Sequence, residues 1–450
     1  MSSPPRSRSR ENGLLLVVMC VGMFLVQLDV TVVNVALPQI ADDLHTGLQG
    51  QQWVVDGYAV VLASLLLAGG TIGDRYGHKR VVLTGLALFG AASLVCGVAP
   101  NVGLLIAGRA LQGLGAALLL PGTLAVITRA FPDEKEQAHA VGIWAGVSAL
   151  ALPAGPLLGG ALVSGVSWRA VFLINLPVIA VAFPAAIRLV RETVDKHPRR
   201  LDIPGMALAT LTLAAVVYAV ITSGPNTAVW VAAAASLAGF LLWERHTPDP
   251  LLPLPLLRHP AFAGPNLVAG AMNLVGIGTI FVATLYLQTV QHHSAIVAGA
   301  MLLPLFVPLA ALAPVTGRLT GRYGPRLPMT GGLVLGILGS LALLGLSPTS
   351  SYGRLLPVLL GLGVGMGLLT AAVVAAAVRS VPPDRSGLAS GVNNTARQTA
   401  GAIAVAAYGA IAGSPTDGAG FTSGLHTIGV IGAVAWAAAL ALTWLTVPSK

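Results

Sequence analysis

Gly70-Thr71-Ile72-Gly73-Asp74-Arg75-Tyr76-Gly77-His78-Lys79-Arg80 and Gly317-Arg318-Leu319-Thr320-Gly321-Arg322-Tyr323-Gly324-Pro325-Arg326 are two versions of one loop. Both carry a glycine seven residues before a second glycine, an Arg-Tyr-Gly core and a basic residue two positions after it. Each loop separates apolar runs long enough to cross a bilayer, which takes about 20 residues. Each also follows the second run of a group of six. The chain therefore reads as two related six-helix halves, which is how many secondary transporters are built, with the substrate site between the halves.

Composition supports a lipid-embedded chain. Of 450 residues, 55% are hydrophobic and 9% charged, with a mean hydropathy of +0.82. An ordinary soluble domain carries about 25% charged residues, and its surface needs that polarity, so a soluble enzyme or interaction scaffold is excluded. Fourteen apolar runs are predicted as spanning helices: 14–40, 52–72, 81–99, 103–128, 138–163, 169–190, 203–223, 227–243, 261–288, 295–317, 327–346, 354–378, 387–412 and 423–447. The run at 227–243 is short, and a twelve-span reading would leave 201–245 as a re-entrant hairpin. The uncharged link Ser223–Thr227 fits an external turn better. The expected domains are 1–200 (an N-terminal six-helix bundle), 201–245 (an extra helix pair) and 246–450 (a C-terminal six-helix bundle).

The net charge of +9 would suggest nucleic acid in a soluble chain. Here the basic residues sit in alternate loops. Of the 25 Lys and Arg, all fall on one side except Arg169 and Arg354 on the other and Arg109 and Arg397 within runs. The positive-inside rule then places both termini in the cytoplasm. Cys20 and Cys96 lie in apolar runs and read as packing residues.

Five signatures lie in order on these runs. They are Leu28-Asp29-Val30-Thr31-Val32-Val33-Asn34-Val35-Ala36-Leu37-Pro38, the Gly70–Arg80 loop, and Gly108-Arg109-Ala110-Leu111-Gln112-Gly113-Leu114-Gly115 ending at Pro121-Gly122. The last two are Gly142 with Gly155-Pro156-Leu157-Leu158-Gly159-Gly160, and Gly387-Leu388-Ala389-Ser390-Gly391-Val392-Asn393-Asn394-Thr395-Ala396-Arg397-Gln398. With Asp202-Ile203-Pro204-Gly205, they make the chain similar to the fourteen-helix drug:proton antiporter family of the major facilitator superfamily (EmrB/QacA type). The resemblance covers nearly the whole length. It departs at His78, where the family has Arg or Lys, at Ala151 in place of a glycine, and at Gly321, where the second loop lacks an acid. The fold it implies is an all-α membrane protein of two six-helix bundles plus two extra central helices.

Asp29 is an acid inside an apolar run, where an ionised carboxylate costs several kcal/mol unless compensated. Burial favours its neutral form and a nearby cation its charged form, so it can load and release a proton. The alternative is a shallow carboxylate held by water near the helix end. Arg109 is its natural partner, and Gln112 shares the arginine's helix face; the resemblance assigns this arginine to proton coupling. For Asp56, near the outer end of the second run, the resemblance implies a second acidic position, and an interfacial residue held by water is the other reading. Asn34, Gln112, Asn394 and Gln398 are expected to line a substrate cavity; a hydrogen-bond knot between helices is the competing reading for Asn394. Gly70, Gly73, Asp74, Arg75, Gly77, Lys79 and Arg80 would form a gating loop that holds the two halves together on the cytoplasmic side. Gly142, Gly155, Pro156, Gly159 and Gly160 form the family's antiporter motif, whose small residues also permit close helix packing.

Other patterns carry less. Gly361-Leu362-Gly363-Val364-Gly365-Met366-Gly367 lacks the strand that a nucleotide loop requires and reads as helix packing. Without a phosphate loop, ATP-driven transport is not expected. His292-His293 lacks further metal ligands. The expectation is a non-enzymatic, proton-coupled efflux transporter of small hydrophobic or amphipathic drugs, working by alternating access as a monomer in the plasma membrane. Neither a cofactor, a metal nor nucleic acid is required. A dedicated exporter of one metabolite or self-made antibiotic, and a transporter-like sensor without flux, are the alternatives.

Overall fold

A computed structural model describes residues 5–192, 201–222, 227–252, 254–382 and 385–448. The basic residues Lys196, Arg199, Arg200 and Lys450, and most of the 223–227 link, lie outside them. Among the described residues there is no strand. Six long helices come first: α1 (Pro5–Asp43), α2 (Leu48–Tyr76), α3 (His78–Gly97), α4 (Val102–Ala130), α5 (Glu134–Gly165) and α6 (Ala170–Leu189, with a break at Ile174). A pair follows, α7 (Ile203–Ile221) and α8 (Thr227–His246). Six more complete the chain: α9 (Pro260–Val290), α10 (Leu303–Tyr323), α11 (Arg326–Gly345), α12 (Tyr352–Arg379), α13 (Ser386–Ala412) and α14 (Gly418–Thr446). Thirteen of these are long and apolar enough to cross a membrane. The other is α13, 27 residues long, whose Asn393, Asn394, Arg397 and Gln398 lower its hydropathy. The run expected at 295–317 is divided by a break at Leu302 into a short helix, Ala295–Met301, and α10, which opens with Pro304 in its first turn.

The two groups of six pack in the same pattern. In the first, α4 lies against α2 and α3, and α1 against α5; in the second, α12 lies against α10 and α11, and α9 against α13. Glycines allow this closeness, because a Cβ would collide with the facing backbone. Gly113 faces Tyr58 on α2 and Gly115 faces Gly85 and Phe89 on α3. The glycine run of α12 does the same on two sides, with Gly361 and Gly365 against α11 and Gly363 and Gly367 against α10. The loop repeat persists in three dimensions. Gly77 and Gly324, each following Arg-Tyr, adopt φ of +100° and +81° and end α2 and α10. That backbone region is open to glycine and costly for other residues.

The α7–α8 pair packs at the seam, with α7 against both α2 and α13. Its ends are tied by polar contacts. Asp202 Oδ1 accepts hydrogen bonds from Gly205 N (2.9 Å) and Trp243 Nε1 (2.6 Å), and Glu244 Oε2 accepts one from Leu252 N (2.8 Å).

The named contacts between the first and second six helices include a cluster at the face opposite the basic loops. There Gln52 Nε2 on α2 donates to the carbonyls of Val405 (3.1 Å) and Ala406 (2.9 Å) on α13, and Gln288 Nε2 on α9 donates to Val35 O on α1 (3.0 Å). Gly160 of α5 rests on Ala295 and Ile296, and Gly299 of the same short helix rests on the Pro156 backbone. Toward the basic face, Gly142 and Gly146 on α5 and Gly317 and Gly321 on α10 are exposed, and among the described residues no atom is near enough to touch an added Cβ.

The seal at Gly299 is tight enough to predict a result. Gly299→Val would drive side-chain atoms into Pro156, and overpacking of this kind costs about 1–3 kcal/mol, a shift of about 5- to 150-fold between conformers. The expected readout is increased labelling of a cysteine introduced at Gln52 by an impermeant thiol reagent added on that face. Unchanged labelling would contradict the role of this contact.

Candidate functional site

A buried polar cluster of the first six helices is built on Asp29 of α1 and Arg109 of α4. Asp29 lies 14 residues before the end of α1, about 21 Å along the helix. It is 1% exposed, which removes the shallow-carboxylate alternative. Packing of α1 on α4 brings together residues 80 apart in sequence: Arg109 Nη1 donates to Asp29 Oδ2. Arg109 is itself 1% exposed. Its Nε donates to Val54 O (2.9 Å), its Nη1 also donates to Gln112 Oε1 (2.9 Å), and its guanidinium sits 4.4 Å from the Tyr58 ring centre. A buried guanidinium so enclosed has its charge met by one carboxylate, two carbonyl-type oxygens and an aromatic face.

Gln112 belongs to this cage and not to a cavity wall, which corrects the expectation from the sequence. Fully buried, it donates from Nε2 to Asp29 Oδ1 (3.3 Å) and to Ser93 Oγ on α3 (2.9 Å). Asn175 of α6 donates to the same serine hydroxyl (3.1 Å). One polar chain thus crosses α1, α4, α3 and α6. Ser93 and Asn175 were not singled out from the sequence; their only signal was a small polar side chain within an apolar run.

Asn34 is also buried, and its Nδ2 donates to Val30 O one turn back (2.9 Å). Asp56 is fully buried, and among the described residues neither carboxyl oxygen has a hydrogen-bond partner. It shares a helix face with Gln52 and Val60 beside the apolar contact of α2 with α7 and α13. An unpartnered buried carboxyl contributes nothing to cohesion. Asp56→Asn is therefore expected to change folding stability by less than about 1 kcal/mol, read as an unchanged thermal midpoint of the purified protein in detergent. A large drop would reveal a partner for this acid.

Among the described residues, the ion pairs and side-chain hydrogen bonds of the loop after α2 stay within the first six helices. Asp74 meets His78 (3.2 Å) and Arg129 (3.4 Å), Lys79 Nζ donates to Ile187 O (2.6 Å), and Arg80 pairs with Glu192 (3.6 Å). All of these partners precede residue 193, so the loop fastens α2 to α3, α4 and the end of α6. Gly73 lies against the His78 ring and Gly77 against Glu192, while Arg75 lies over Tyr76 and Gly70 is half-buried near Pro121.

Four of the five antiporter-motif residues lie together on α5. Gly155 and Gly159 rest on Thr31 and Val32 of α1, two and three residues after Asp29, while Pro156 and Gly160 seal against the short helix 295–301. Gly142 is exposed and apart from them. On α13 the interhelical knot is made by Asn393, not Asn394: its Nδ2 donates to Asn266 Oδ1 (3.1 Å). Asn394 and Gln398 are half-buried.

Comparison with known proteins agrees with this architecture. The family described as Major Facilitator Superfamily matches residues 19–405. The multidrug resistance protein Stp of Mycobacterium tuberculosis (strain CDC 1551 / Oshkosh) is 35% identical over 413 residues, 90% of this chain and 76% of that protein. The methylenomycin A resistance protein of Streptomyces coelicolor (strain ATCC BAA-471 / A3(2) / M145) is 33% identical over 419 residues, 91% of this chain and 88% of that protein. Among solved structures, an inward-facing bacterial homologue of the human lysosomal transporter Spinster shares the fold at 19% identity, with a TM-score of 0.67 over 99% of this chain and 98% of that one. The many apolar helices, their paired packing and these relatives lead to one conclusion: the chain is a multi-pass membrane protein that belongs to the Major Facilitator Superfamily.

Proposed function

We propose that this protein is a proton-driven exporter of small hydrophobic or amphipathic compounds, drugs and antibiotics among them. It would work by alternating access as a monomer in the plasma membrane, with its basic face and both termini in the cytoplasm. The observation that carries the reading is the Asp29–Arg109–Gln112 cage sealed inside the membrane-spanning helices. Relatives named for multidrug and antibiotic resistance support the cargo class. Protonation of Asp29 removes the charge that holds Arg109 and loosens α1 from α4. The next turn of α1 carries Thr31 and Val32, on which the α5 glycines rest, and the same segment of α5 seals against the second six helices. A proton placed on Asp29 thus has a short packed route to the seal on the opposite face. Asp56, on the α2 surface facing α13, would meet water when those helices part and serve as a secondary proton site.

A growth-inhibition panel of diverse compounds in an efflux-deficient host, comparing wild type with Asp29→Asn, tests the proposal. Broad protection lost in the variant supports a multidrug exporter. Protection against a single compound would favour a dedicated exporter, a reading that the methylenomycin relative makes specific. No protection by the wild type would overturn export.

A further inference from the structure

Arg397 is the one Lys or Arg in the middle of a long helix of the second six, since Arg318, Arg322, Arg326, Arg354 and Arg379 all lie within five residues of a helix end, and residues 260–382 and 385–416 contain no Asp or Glu to answer it. It lies 11 residues into α13 and 15 from its end, about 16 and 22 Å from the two termini, beyond reach of either helix end. Its Nε donates to Asn273 Oδ1 on α9 (3.3 Å). Among the described residues no carboxylate pairs with it and no aromatic ring lies beneath it. Arg109, by contrast, has a full cage. A guanidinium has five N–H donors and cannot shed its charge, so this one keeps a positive charge with no counter-ion among the described residues.

The position of the side chain shows where an anion would come from. Asn393, Ala396 and Ala400 mark the side of α13 turned to α9, while Gly391, Ala402 and Ala406 mark the side turned to α2 and α7. Gly401 also meets α9, at Ile277; at 100° per residue Asn394 and Gln398 fall on the arc between those two sides, with Arg397 at its α9 edge, on the flank away from Ile403, which packs toward α7. All four except the buried Gly401 are half-buried. Because α13 packs on α9 of its own half and on α2 of the other, this flank borders the junction of the two groups of six helices, the region where an alternating-access carrier holds its cargo.

Resting on the exporter reading above, we infer that Arg397 is the cargo-recognising residue of the second half, and that the preferred cargo is an amphipathic compound bearing a carboxylate or comparable single negative charge. The guanidinium meets the anion, and the Gln398 amide is placed beside it as a further donor. Outward movement of an anion and inward movement of a proton shift charge in the same direction, so the membrane potential drives both.

The test uses 1-pyrenebutyrate and its methyl ester, which share a ring system and differ in charge. Binding is read by fluorescence with the purified full-length protein in phosphatidylcholine nanodiscs, against protein-free discs. The wild type is expected to bind the carboxylate about tenfold or more tightly than the ester, the size of a charge-assisted hydrogen bond. Arg397→Gln is expected to erase that preference with ester binding unchanged, and Arg397→Lys to retain part of it. Equal wild-type affinity for both probes overturns the inference, whatever the variants do. So does an Arg397→Gln variant that keeps the preference. The Lys variant and the wild-type comparison keep the test decisive if the Gln variant does not fold. Discs containing phosphatidylglycerol are expected to give the same preference; its loss there would assign Arg397 to lipid headgroups and overturn the cargo role. Binding with the expected preference but without export of either probe from proteoliposomes would reject the exporter reading and leave the anion site standing.

Discussion

Arg109→Leu is expected to lose about 3–5 kcal/mol of folding stability, because it strands the Asp29 carboxylate in a buried site. The remaining donor to that carboxylate is the Gln112 amide at 3.3 Å, which cannot replace a guanidinium. The measurable result is a large fall in the thermal midpoint and in the monodisperse yield after solubilisation. Replacing the whole pair with neutral groups avoids the stranded charge, since such exchanges of a buried ion pair are often close to neutral. The double variant Asp29→Asn/Arg109→Gln is therefore expected to recover most of the stability and none of the gradient-driven export. If the double variant is as unstable as Arg109→Leu, then Asp29 is not what the arginine answers. If it exports normally, the pair has only a structural role.

Asp29→Asn carries the second large effect, on energy coupling. At 100 mV one proton per cycle supplies about 2.3 kcal/mol, enough for about a fiftyfold concentration ratio. The variant keeps an amide that Arg109 and Gln112 can still approach, yet it cannot carry a proton. Everted vesicles energised by a proton gradient are expected to concentrate substrate with the wild type. With the variant they should only equilibrate it. Gradient-dependent accumulation by Asp29→Asn at both acidic and alkaline external pH would remove Asp29 from the coupling scheme, and Asp56 would become the acid to examine next.

These two results bear on one route through the molecule. Asp29 is two and three residues before the α1 positions that receive Gly155 and Gly159, and the adjacent Pro156 and Gly160 close the opposite face. The Gly299→Val labelling experiment probes the far end of that route and Asp29→Asn the near end. If loss of the seal and loss of proton binding impair export independently, the packed route is not the coupling path.

Much of the fold was legible because lipid makes strong demands on sequence. A span must be long and apolar, so the positions of the helices and the duplicated Arg-Tyr-Gly loop could be read directly, while the positive φ that demands glycine at residues 77 and 324 emerged only from the structure. Asp29 and Arg109 stood out because charges are expensive within such runs. Their partnership was an expectation, whereas their contact depends on how α1 lies against α4. Side-chain allegiance was less legible. Gln112 shares a helix face with Arg109 and was expected in a cavity, yet α1 and α3 close over it. Asp74 was expected to bridge the halves, yet its partners are His78 and Arg129. The knot fell to Asn393 instead of its neighbour Asn394, a difference of 100° around one helix.

Sequence by itself determined the solvent, the order of the long helices, the internal repeat and the few charges that lipid would not tolerate without a purpose. Each of those is a local property, set by the hydropathy of a segment or the backbone demand of a single turn. Only the tertiary structure decided which charge is answered and which is not, because that depends on the helix facing it. Arg109 meets a carboxylate 80 residues away, while Arg397 meets an asparagine and, among the described residues, no anion.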